Sequence, residues 1–206
     1  MGHPLFVKIC GLTSLADARA AVAAGADALG FVFFERSLRR VTVAQAAAIS
    51  QALPRPRPLR VGVFVNASPT TIAEAEAAVG LDVIQLAGDE DPEYAARVGR
   101  KAMKVVRLAD RASVATLRQY RCEAFLLEPG PRAAVPFDWA IVREALGVAR
   151  IVIGGGLTTE TVAAAITAAR PFGVDVAAGV ESSLGVKDPA AMRRFVQAAR
   201  GAAPSR

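Results

Sequence analysis

Short apolar runs alternate with alanine-rich stretches along almost the whole chain, and this alternation constrains the fold more than any other feature. Short runs of β-branched or otherwise apolar residues are typical of buried parallel strands. The alanine-rich stretches have helical spacing, as in residues 14–25, 42–53, 68–80 and 158–169. The eight predicted strands cover residues 5–9, 28–33, 59–65, 82–86, 102–108, 123–127, 150–154 and 173–177.

Residues that favour the ends of helices mark several of these stretches. Ser, Thr and Asp side chains cap helix N-termini, proline suits the first helical position, and glycine suits the residue after the last turn. The predicted helix starts are Ser14, Ser68 with Pro69, Thr158 or Thr159, and Asp188 with Pro189, and Gly25 is a predicted helix end.

Eight strand–helix units follow one another with short links and no break in composition over 206 residues. This order predicts the α/β class and a single (β/α)8 TIM barrel in which residues 1–206 form one domain. A doubly wound open sheet is the alternative, but no G-x-G-x-x-G motif follows the first strand. In a barrel of this kind the functional residues lie at the C-terminal ends of the strands.

The charge balance favours a small anionic substrate over a nucleic acid. The net charge is +6, but the arginines are scattered singly or in short pairs, and no basic stripe alternates with aromatic residues. We therefore expect no nucleic-acid partner. The sequence has no apolar run long enough for a membrane span and no secretory signal at its N-terminus, so we expect a cytoplasmic protein without a membrane partner.

Cysteine and histidine are too few for a disulfide framework or a metal site. The two cysteines, Cys10 and Cys122, are far apart in the sequence, and His3 is the single histidine. We expect no metal site. Any chemistry must come from carboxylates, cysteine, lysine, arginine and backbone amides.

Four polar side chains stand at predicted strand ends. Lys8 and Cys10 are alternate residues of the first strand and therefore point to the same side, where the lysine would lower the pKa of the thiol and favour the thiolate. Cys10 is either a catalytic group or a small buried hydrophobe. Glu128 ends the sixth strand as a catalytic carboxylate or a partner in an ion pair at the rim. Arg39, after the second strand, is either a ligand contact or a solvated charge.

Glycines after the seventh and eighth strands predict a phosphate site. Gly155 and Gly156 precede a helix, and Ala178 and Gly179 follow the eighth strand, which also carries Asp175. Backbone N–H groups in such loops bind phosphate in many barrels. A tight turn without a ligand is the alternative for the glycine run.

The sequence resembles the phosphoribosylanthranilate isomerase family. The similar segments are VKICGLTSLADARAAVAAGADALGFVFFERSLRRV (7–41), VGVFVN (61–66), IQLAGDE (84–90), FDW (137–139), GGLTTETV (155–162) and VDVAAGVESSLGVKD (174–188). They cover nearly the whole chain in the family's order.

This resemblance implies a tryptophan-pathway barrel that carries out an Amadori rearrangement of N-(5-phosphoribosyl)anthranilate without cofactor or metal. A general acid protonates the ring oxygen and a general base removes the proton from C2′. The family's base matches Cys10, its acid matches Glu128, and its anthranilate-contacting arginine matches Arg39. The family includes monomers and dimers, so we expect a monomer or a homodimer that binds a small phosphorylated substrate.

Several residues depart from the family pattern. Glu128 replaces an aspartate, the loop Pro129–Pro136 with Arg132 replaces a longer glycine-rich loop, and Ala87 replaces a histidine. Ala177–Ala178 replaces two serines, and Leu38 replaces a proline. Two alternative hypotheses therefore remain at this point: a weakly active or inactive paralogue that binds a phosphorylated ligand, and an isomerase for a different sugar phosphate.

Overall fold

The computed structural model describes residues 5–129 and 137–203. His3 and Arg132, with the loop residues 130–136, lie outside these ranges, so the expectations for them concern residues that the structure does not describe.

Eight parallel strands form a closed barrel in which each strand pairs with the next and the eighth pairs with the first. The predicted (β/α)8 architecture is confirmed, and each strand lies within two residues of its predicted bounds. The strands are β1 (Phe6–Ile9), β2 (Ala28–Val32), β3 (Leu59–Phe64), β4 (Val83–Leu86), β5 (Ala102–Leu108), β6 (Ala124–Pro129), β7 (Ile151–Ile153) and β8 (Gly173–Val176).

Each strand is followed by a helix on the outside of the barrel. A short hairpin, β9 (Glu181–Ser183) with β10 (Val186–Lys187), is inserted between β8 and the last helix, after a 3-10 turn at Ala178–Val180. A second 3-10 turn covers Gly99–Lys101. The helices are α1 (Leu15–Ala24), α2 (Val43–Gln51), α3 (Pro69–Val79), α4 (Pro92–Val98), α5 (Arg111–Leu117), α6 (Trp139–Leu146), α7 (Val162–Ala169) and α8 (Pro189–Ala202).

Most of the predicted helix ends are confirmed. The Ser14 hydroxyl accepts a hydrogen bond from the Asp17 N–H group (3.1 Å), and Gly25 ends α1 in the left-handed conformation with φ 90°. Ser68 caps α3 with proline at its first position, and Asp188 caps α8 in the same way.

The predicted cap of α7 at Thr158 or Thr159 is wrong. The helix begins at Val162, and its N-cap residue is Thr161, three residues after Thr158 and two after Thr159. The Thr158 N–H group donates to the Thr161 hydroxyl (2.9 Å), so these threonines close a turn of their own ahead of the helix.

The alternation of side chains along each strand divides the core into two layers. One set, which includes Ile9, Phe31 and Leu127, belongs to the large cluster packed against the helices. The other set fills the inside of the barrel with a small apolar cluster of Ala28, Val61, Met103, Ala124, Leu126 and Val152. Among the described residues, no helix is long and apolar enough to cross a membrane.

Candidate active site

A buried ion pair lies inside the barrel where β1 meets β8. Lys8 and Asp175 face each other in the register of the two strands, and Lys8 Nζ lies 2.7 Å from Asp175 Oδ1. The lysine side chain has no exposed surface. Burial alone would lower the pKa of Lys8, but the charges of Asp175 and Cys10 outweigh it and hold the pKa above its usual value. Lys8 is therefore a fixed positive charge at the centre of the site.

Cys10 follows Lys8 on the same face of the chain and is held at the end of β1. Its N–H group donates to the Val176 carbonyl oxygen (2.8 Å), and its side chain is buried. Gly30 on the neighbouring strand leaves room for the thiol, because a Cβ atom at position 30 would lie 2.7 Å from Cys10 Sγ.

Lys8 lowers the pKa of Cys10, as the sequence predicts, but the predicted thiolate is not the resting form because the net pKa of the thiol is raised. Burial raises the pKa of the thiol, and the charge of Asp175 adds to this effect. Lys8 and Lys187 lower the pKa, but they do not compensate for burial, in part because Asp175 neutralises Lys8. The resting group is a thiol, surrounded by cations that stabilise the thiolate once it forms.

Glu128 lies at the end of β6, half-buried beside the loop that follows β7. A Cβ atom at Gly155 would lie 3.0 Å from Glu128 Cβ, so the carboxyl side chain lies directly against this glycine. Burial and the negative charge of Asp175 raise the pKa of Glu128, while Arg107 and Lys8 oppose the shift. A carboxyl group with a raised pKa retains its proton at a higher pH, as a general acid requires.

Cys10 and Glu128, which the sequence predicted as the catalytic pair, are both influenced by the Lys8–Asp175 ion pair. The charges of Lys8 and Asp175 act on the pKa of the thiol and on that of the carboxyl group. A proton donor and a potential thiolate base therefore belong to one electrostatic cluster at the C-terminal end of the barrel. This arrangement is suited to moving a proton off one substrate atom and onto another.

The loops after β7 and β8 touch each other and present backbone N–H groups. Gly155 and Gly156 have φ values of 72° and 106°, which favour glycine. The 3-10 turn Ala178–Val180 follows β8, and Gly179 approaches the Leu157 carbonyl so closely that a Cβ atom there would lie 2.0 Å from its oxygen.

Four N–H groups of these two loops are available to an anion. Within residues 5–129 and 137–203, the backbone N–H groups of Gly155, Gly156, Ala178 and Gly179 donate to no acceptor of the chain. A short helical turn after β8 combined with the loop after β7 is the usual arrangement of a phosphate site in TIM barrels.

Arg39 is fixed beside the end of β1 by a carboxylate that the sequence analysis did not identify. Its Nε donates to Glu181 Oε1 and its Nη2 donates to Glu181 Oε2, each at 2.7 Å. The stem of the arginine lies over Gly11, where a Cβ atom would lie 2.6 Å from Arg39 Cδ. Arg39 therefore lies against Gly11, the residue that follows Cys10.

Four further polar side chains belong to this end of the barrel. Arg107 is the partner of Glu128 in the register of β5 and β6. Strand alternation could therefore have predicted its position from the sequence. Gln85 is buried, and within the described part of the chain its Oε1 atom has no hydrogen-bond partner. Glu181 and the buried Lys187 lie in the hairpin after β8, where strand alternation gives no signal. The described residues contain no group of three or more His, Cys, Asp or Glu side chains arranged to hold a metal ion.

Comparison with known proteins gives a consistent result. The sequence profile of the family described as N-(5'-phosphoribosyl)anthranilate (PRA) isomerase matches residues 7–198. The N-(5'-phosphoribosyl)anthranilate isomerase of Rubrobacter xylanophilus is 46% identical over 203 residues, covering 94% of this chain and 98% of the relative. The enzyme of the same name from Pelobacter propionicus is 45% identical over 199 residues, covering 94% of this chain and 95% of the relative.

Solved structures agree with these relatives. A phosphoribosyl anthranilate isomerase in complex with reduced 1-(o-carboxyphenylamino)-1-deoxyribulose 5-phosphate superimposes with a TM-score of 0.86 at 36% identity, covering 96% of this chain and 99% of that chain. Monomers generated from the dimeric enzyme of Thermotoga maritima superimpose with a TM-score of 0.84 at 35% identity, with the same coverage. The chain therefore belongs to the N-(5'-phosphoribosyl)anthranilate isomerase family.

Proposed function

We propose that this chain catalyses the isomerisation of N-(5'-phosphoribosyl)anthranilate in tryptophan biosynthesis, with Cys10 as general base and Glu128 as general acid. The observation that carries the proposal is the position of Cys10 and Glu128 at the C-terminal ends of β1 and β6, around the buried Lys8–Asp175 pair that influences both. The relatives at about 45% identity are named N-(5'-phosphoribosyl)anthranilate isomerase, and they align with this chain over nearly their whole length. They do not favour a ligand-binding paralogue or an isomerase for a different sugar phosphate.

The proposed reaction has two proton transfers to or from protein groups, followed by a tautomerisation. Glu128 gives its proton to the ring oxygen, the C1′–O4′ bond breaks, and the lone pair of the substrate nitrogen forms a C=N bond. The Cys10 thiolate then takes the C2′ proton, the C2′–H electrons form a C1′=C2′ bond, and the C=N electrons return to nitrogen. The resulting enolamine tautomerises to the ketose amine.

The surroundings of the two groups suit these roles. Glu128 needs to be protonated, and its raised pKa favours that state. Cys10 needs to be ionised for the second step, and the charges of Lys8 and Lys187 stabilise its thiolate. The pKa values of acid and base in such a pair are set by their environments, which burial and the ion pair provide here.

The substrate groups have matching partners. We propose that the phosphate binds to the N–H groups of Gly155, Gly156, Ala178 and Gly179, and that Arg39 contacts the anthranilate carboxylate. Asp175 is proposed to belong to the binding site as the partner of Lys8. The related structure with a bound ribulose 5-phosphate derivative supports a small phosphorylated ligand.

We propose that residues 1–206 form one domain, that the protein is cytoplasmic, and that it is a monomer or a homodimer. The Thermotoga maritima relative, a dimeric enzyme from which monomers have been generated, is compatible with either state.

Turnover of N-(5'-phosphoribosyl)anthranilate generated in situ tests the function. Wild-type protein should convert it, and Cys10→Ala should lower kcat roughly 10²- to 10⁴-fold, the usual effect of removing an acid–base group. Cys122→Ala is the matched control, because Cys122 lies just before β6 at the opposite end of the barrel and burial raises its pKa to about 11. This control should keep wild-type kcat. Wild-type protein without turnover, or full activity in Cys10→Ala, would contradict the assignment.

A further inference from the structure

Arg39, Glu181 and Lys187 form a continuous row of alternating charges beside the candidate active site. We propose that Glu181, held in place by Lys187, is a positioning residue that orients Arg39 for the carboxylate of the substrate. This inference rests on the proposed function, because it deepens the role of Arg39 in that reaction.

The contact between Arg39 and Glu181 fixes the plane of the guanidinium group. Arg39 uses its Nε and Nη2 atoms, each at 2.7 Å from a different oxygen of Glu181. Two parallel hydrogen bonds of this kind define an orientation as well as a distance. Among the described residues, the side-chain hydrogen bonds of Arg39 come from Nε and Nη2 and none from Nη1, so the end of the guanidinium opposite Nε remains available to a second carboxylate.

Lys187 fixes the position of the Glu181 carboxylate in turn. Lys187 Nζ lies 2.7 Å from Glu181 Oε1 and 3.0 Å from the carbonyl oxygen of Ala177. Its side chain has no exposed surface, and that of Glu181 is only 5% exposed. Buried charges of this kind require partners in good geometry, so the three groups cannot shift independently without leaving a charge uncompensated.

The charge state of Glu181 suits this role. Burial opposes its ionisation, but the hydrogen bonds from Arg39 and Lys187 lower the pKa to about 2. The carboxylate is therefore ionised at neutral pH. It holds Arg39 permanently and takes no part in proton transfer.

Backbone contacts hold the row against the phosphate loop and the end of β1. Glu181 follows directly on the 3-10 turn Ala178–Val180. The hairpin is fastened at its tip, because the Thr13 hydroxyl donates to the Gly185 carbonyl oxygen (2.9 Å). At its base, the Asp188 N–H group donates to the Val180 carbonyl oxygen (2.9 Å). The carboxylate that orients Arg39 thus has a fixed position relative to both the proposed phosphate site and Cys10.

A purely structural ion pair is the competing explanation, and a matched pair elsewhere in the barrel separates the two. Arg60 and Asp82 form the same two-bond contact, with distances of 2.8 and 2.9 Å, at the opposite end of the strands. Asp82→Asn breaks a pair of equal geometry that has no role in the proposed reaction. Any loss caused by breaking an arginine–carboxylate pair as such should therefore occur in both variants.

Steady-state kinetics of Glu181→Gln and Asp82→Asn test the proposal. In Glu181→Gln we expect KM for the substrate to rise roughly 10- to 100-fold, the usual effect of misplacing a binding group by about 1 Å. Inhibition by 2-aminobenzoate, which carries the carboxylate, should weaken to a similar degree, and inhibition by inorganic phosphate should not. Asp82→Asn should lower the thermal unfolding temperature and leave KM unchanged. An unchanged KM in folded Glu181→Gln, or an equal rise in Asp82→Asn, overturns the inference.

A double variant tests whether Lys187 acts through Glu181. If it does, Lys187→Met should raise KM less than Glu181→Gln, and the combination should be no worse than Glu181→Gln alone, because coupled residues are not additive. Fully additive effects on KM overturn the role assigned to Lys187; kcat does not enter this test, because the charge of Lys187 also stabilises the Cys10 thiolate. Should Glu181→Gln fail to fold, Glu181→Asp replaces it in the test, because aspartate keeps the charge and shortens the side chain. A smaller rise in KM is then expected. An unchanged KM in Glu181→Asp counts against the proposal.

The outcome is distinguishable from a failure of the proposed function. Wild-type protein that does not turn over N-(5'-phosphoribosyl)anthranilate contradicts the function itself. Wild-type protein that turns it over, together with a Glu181→Gln variant of unchanged KM, contradicts only the positioning role.

Discussion

Gly179 lies so close to Leu157 that a Cβ atom on the glycine would be 2.0 Å from the leucine carbonyl oxygen. This contact joins the loop after β8 to the loop after β7. The clash partner is backbone, which cannot move aside in the way a flexible side chain can. The absence of a side chain at position 179 therefore keeps the two halves of the proposed phosphate site together.

Gly179→Ala is expected to damage the phosphate site. The methyl group must push the two loops apart, and such overpacking typically costs about 1–3 kcal/mol of the free energy of unfolding. Because the N–H groups of both loops must meet one phosphate, inhibition by inorganic phosphate should weaken and KM should rise. Urea denaturation and inhibition kinetics measure the two effects.

Gly201→Ala is the matched control for this substitution. Gly201 lies in α8, and a Cβ atom there would meet nothing within 4 Å. Alanine in place of a helical glycine should stabilise the protein by about 0.5–1 kcal/mol and leave KM unchanged. Equal phosphate inhibition in Gly179→Ala and wild-type protein would show that the two loops need not touch.

Lys8→Met is expected to be strongly destabilising. It leaves Asp175 as a buried carboxylate without its partner, and breaking a buried ion pair from one side typically costs about 3–5 kcal/mol. The double variant Lys8→Met/Asp175→Asn removes both charges and should recover much of the loss. Urea denaturation of the three proteins measures this. A Lys8→Met protein as stable as wild type would contradict the account of the pair.

Much of the candidate site follows from strand alternation. Lys8 on β1, Cys10 directly after it, Glu128 on β6 and Asp175 on β8 all lie at or near strand ends, and closure of the barrel brings them to one end. The sequence also indicated the two glycine-containing loops. These features depend on local patterns and on the fixed geometry of parallel barrels, which is why they could be predicted.

The net pKa of Cys10 and the partner of Arg39 could not be predicted in this way. The sequence shows that Lys8 lies near Cys10, but the depth of burial and the neutralising effect of Asp175 depend on packing. Glu181 is 142 positions away from Arg39. It lies in a hairpin that is not part of the barrel sheet, so the alternation of side chains along the barrel strands does not indicate its position. Contacts between distant loops depend on the backbone path of each loop, for which the residue types give no rule.

A third buried ion pair, between Lys104 and Glu90, is expected to stabilise the loops after β3 and β4. Lys104 Nζ lies 2.9 Å from Glu90 Oε2, and the two side chains are 5% and 2% exposed. The same carboxylate accepts hydrogen bonds from the N–H groups of Asn66 (2.7 Å) and Gly88 (2.9 Å). Lys104→Met should therefore lower the free energy of unfolding by about 3–5 kcal/mol.

Lys101→Met provides the comparison for Lys104→Met. Lys101 also pairs with a glutamate, Glu76, but the two side chains are 51% and 37% exposed. Exposed pairs contribute at most about 1 kcal/mol. Chemical denaturation of both variants decides between burial and pairing as the source of stability. Similar losses in the two variants would mean that burial of the Lys104 pair has no special effect.

The pH dependence of kcat/KM is expected to be bell-shaped, with the acidic limb set by Glu128 and the alkaline limb set by Cys10. Catalysis needs protonated Glu128 and ionised Cys10, yet the pKa values of both groups are raised from ordinary values of 4.5 and 9.0. The fraction of enzyme in this form is small and constant between the two pKa values. It falls below the pKa of Glu128 because the thiolate is lost, and above the pKa of Cys10 because the protonated acid is lost.

Glu128→Gln tests which group sets which limb. A glutamine cannot give up a proton, so kcat/KM should fall roughly 10²- to 10⁴-fold and should then rise with pH up to the pKa of Cys10, without a plateau. Glu123→Gln is the control, because this exposed glutamate precedes β6 at the opposite end of the same strand. It should keep the wild-type profile. An unchanged bell-shaped profile in Glu128→Gln would contradict the assignment of Glu128 as the acid, since its titration could then not be the one that limits the rate at low pH.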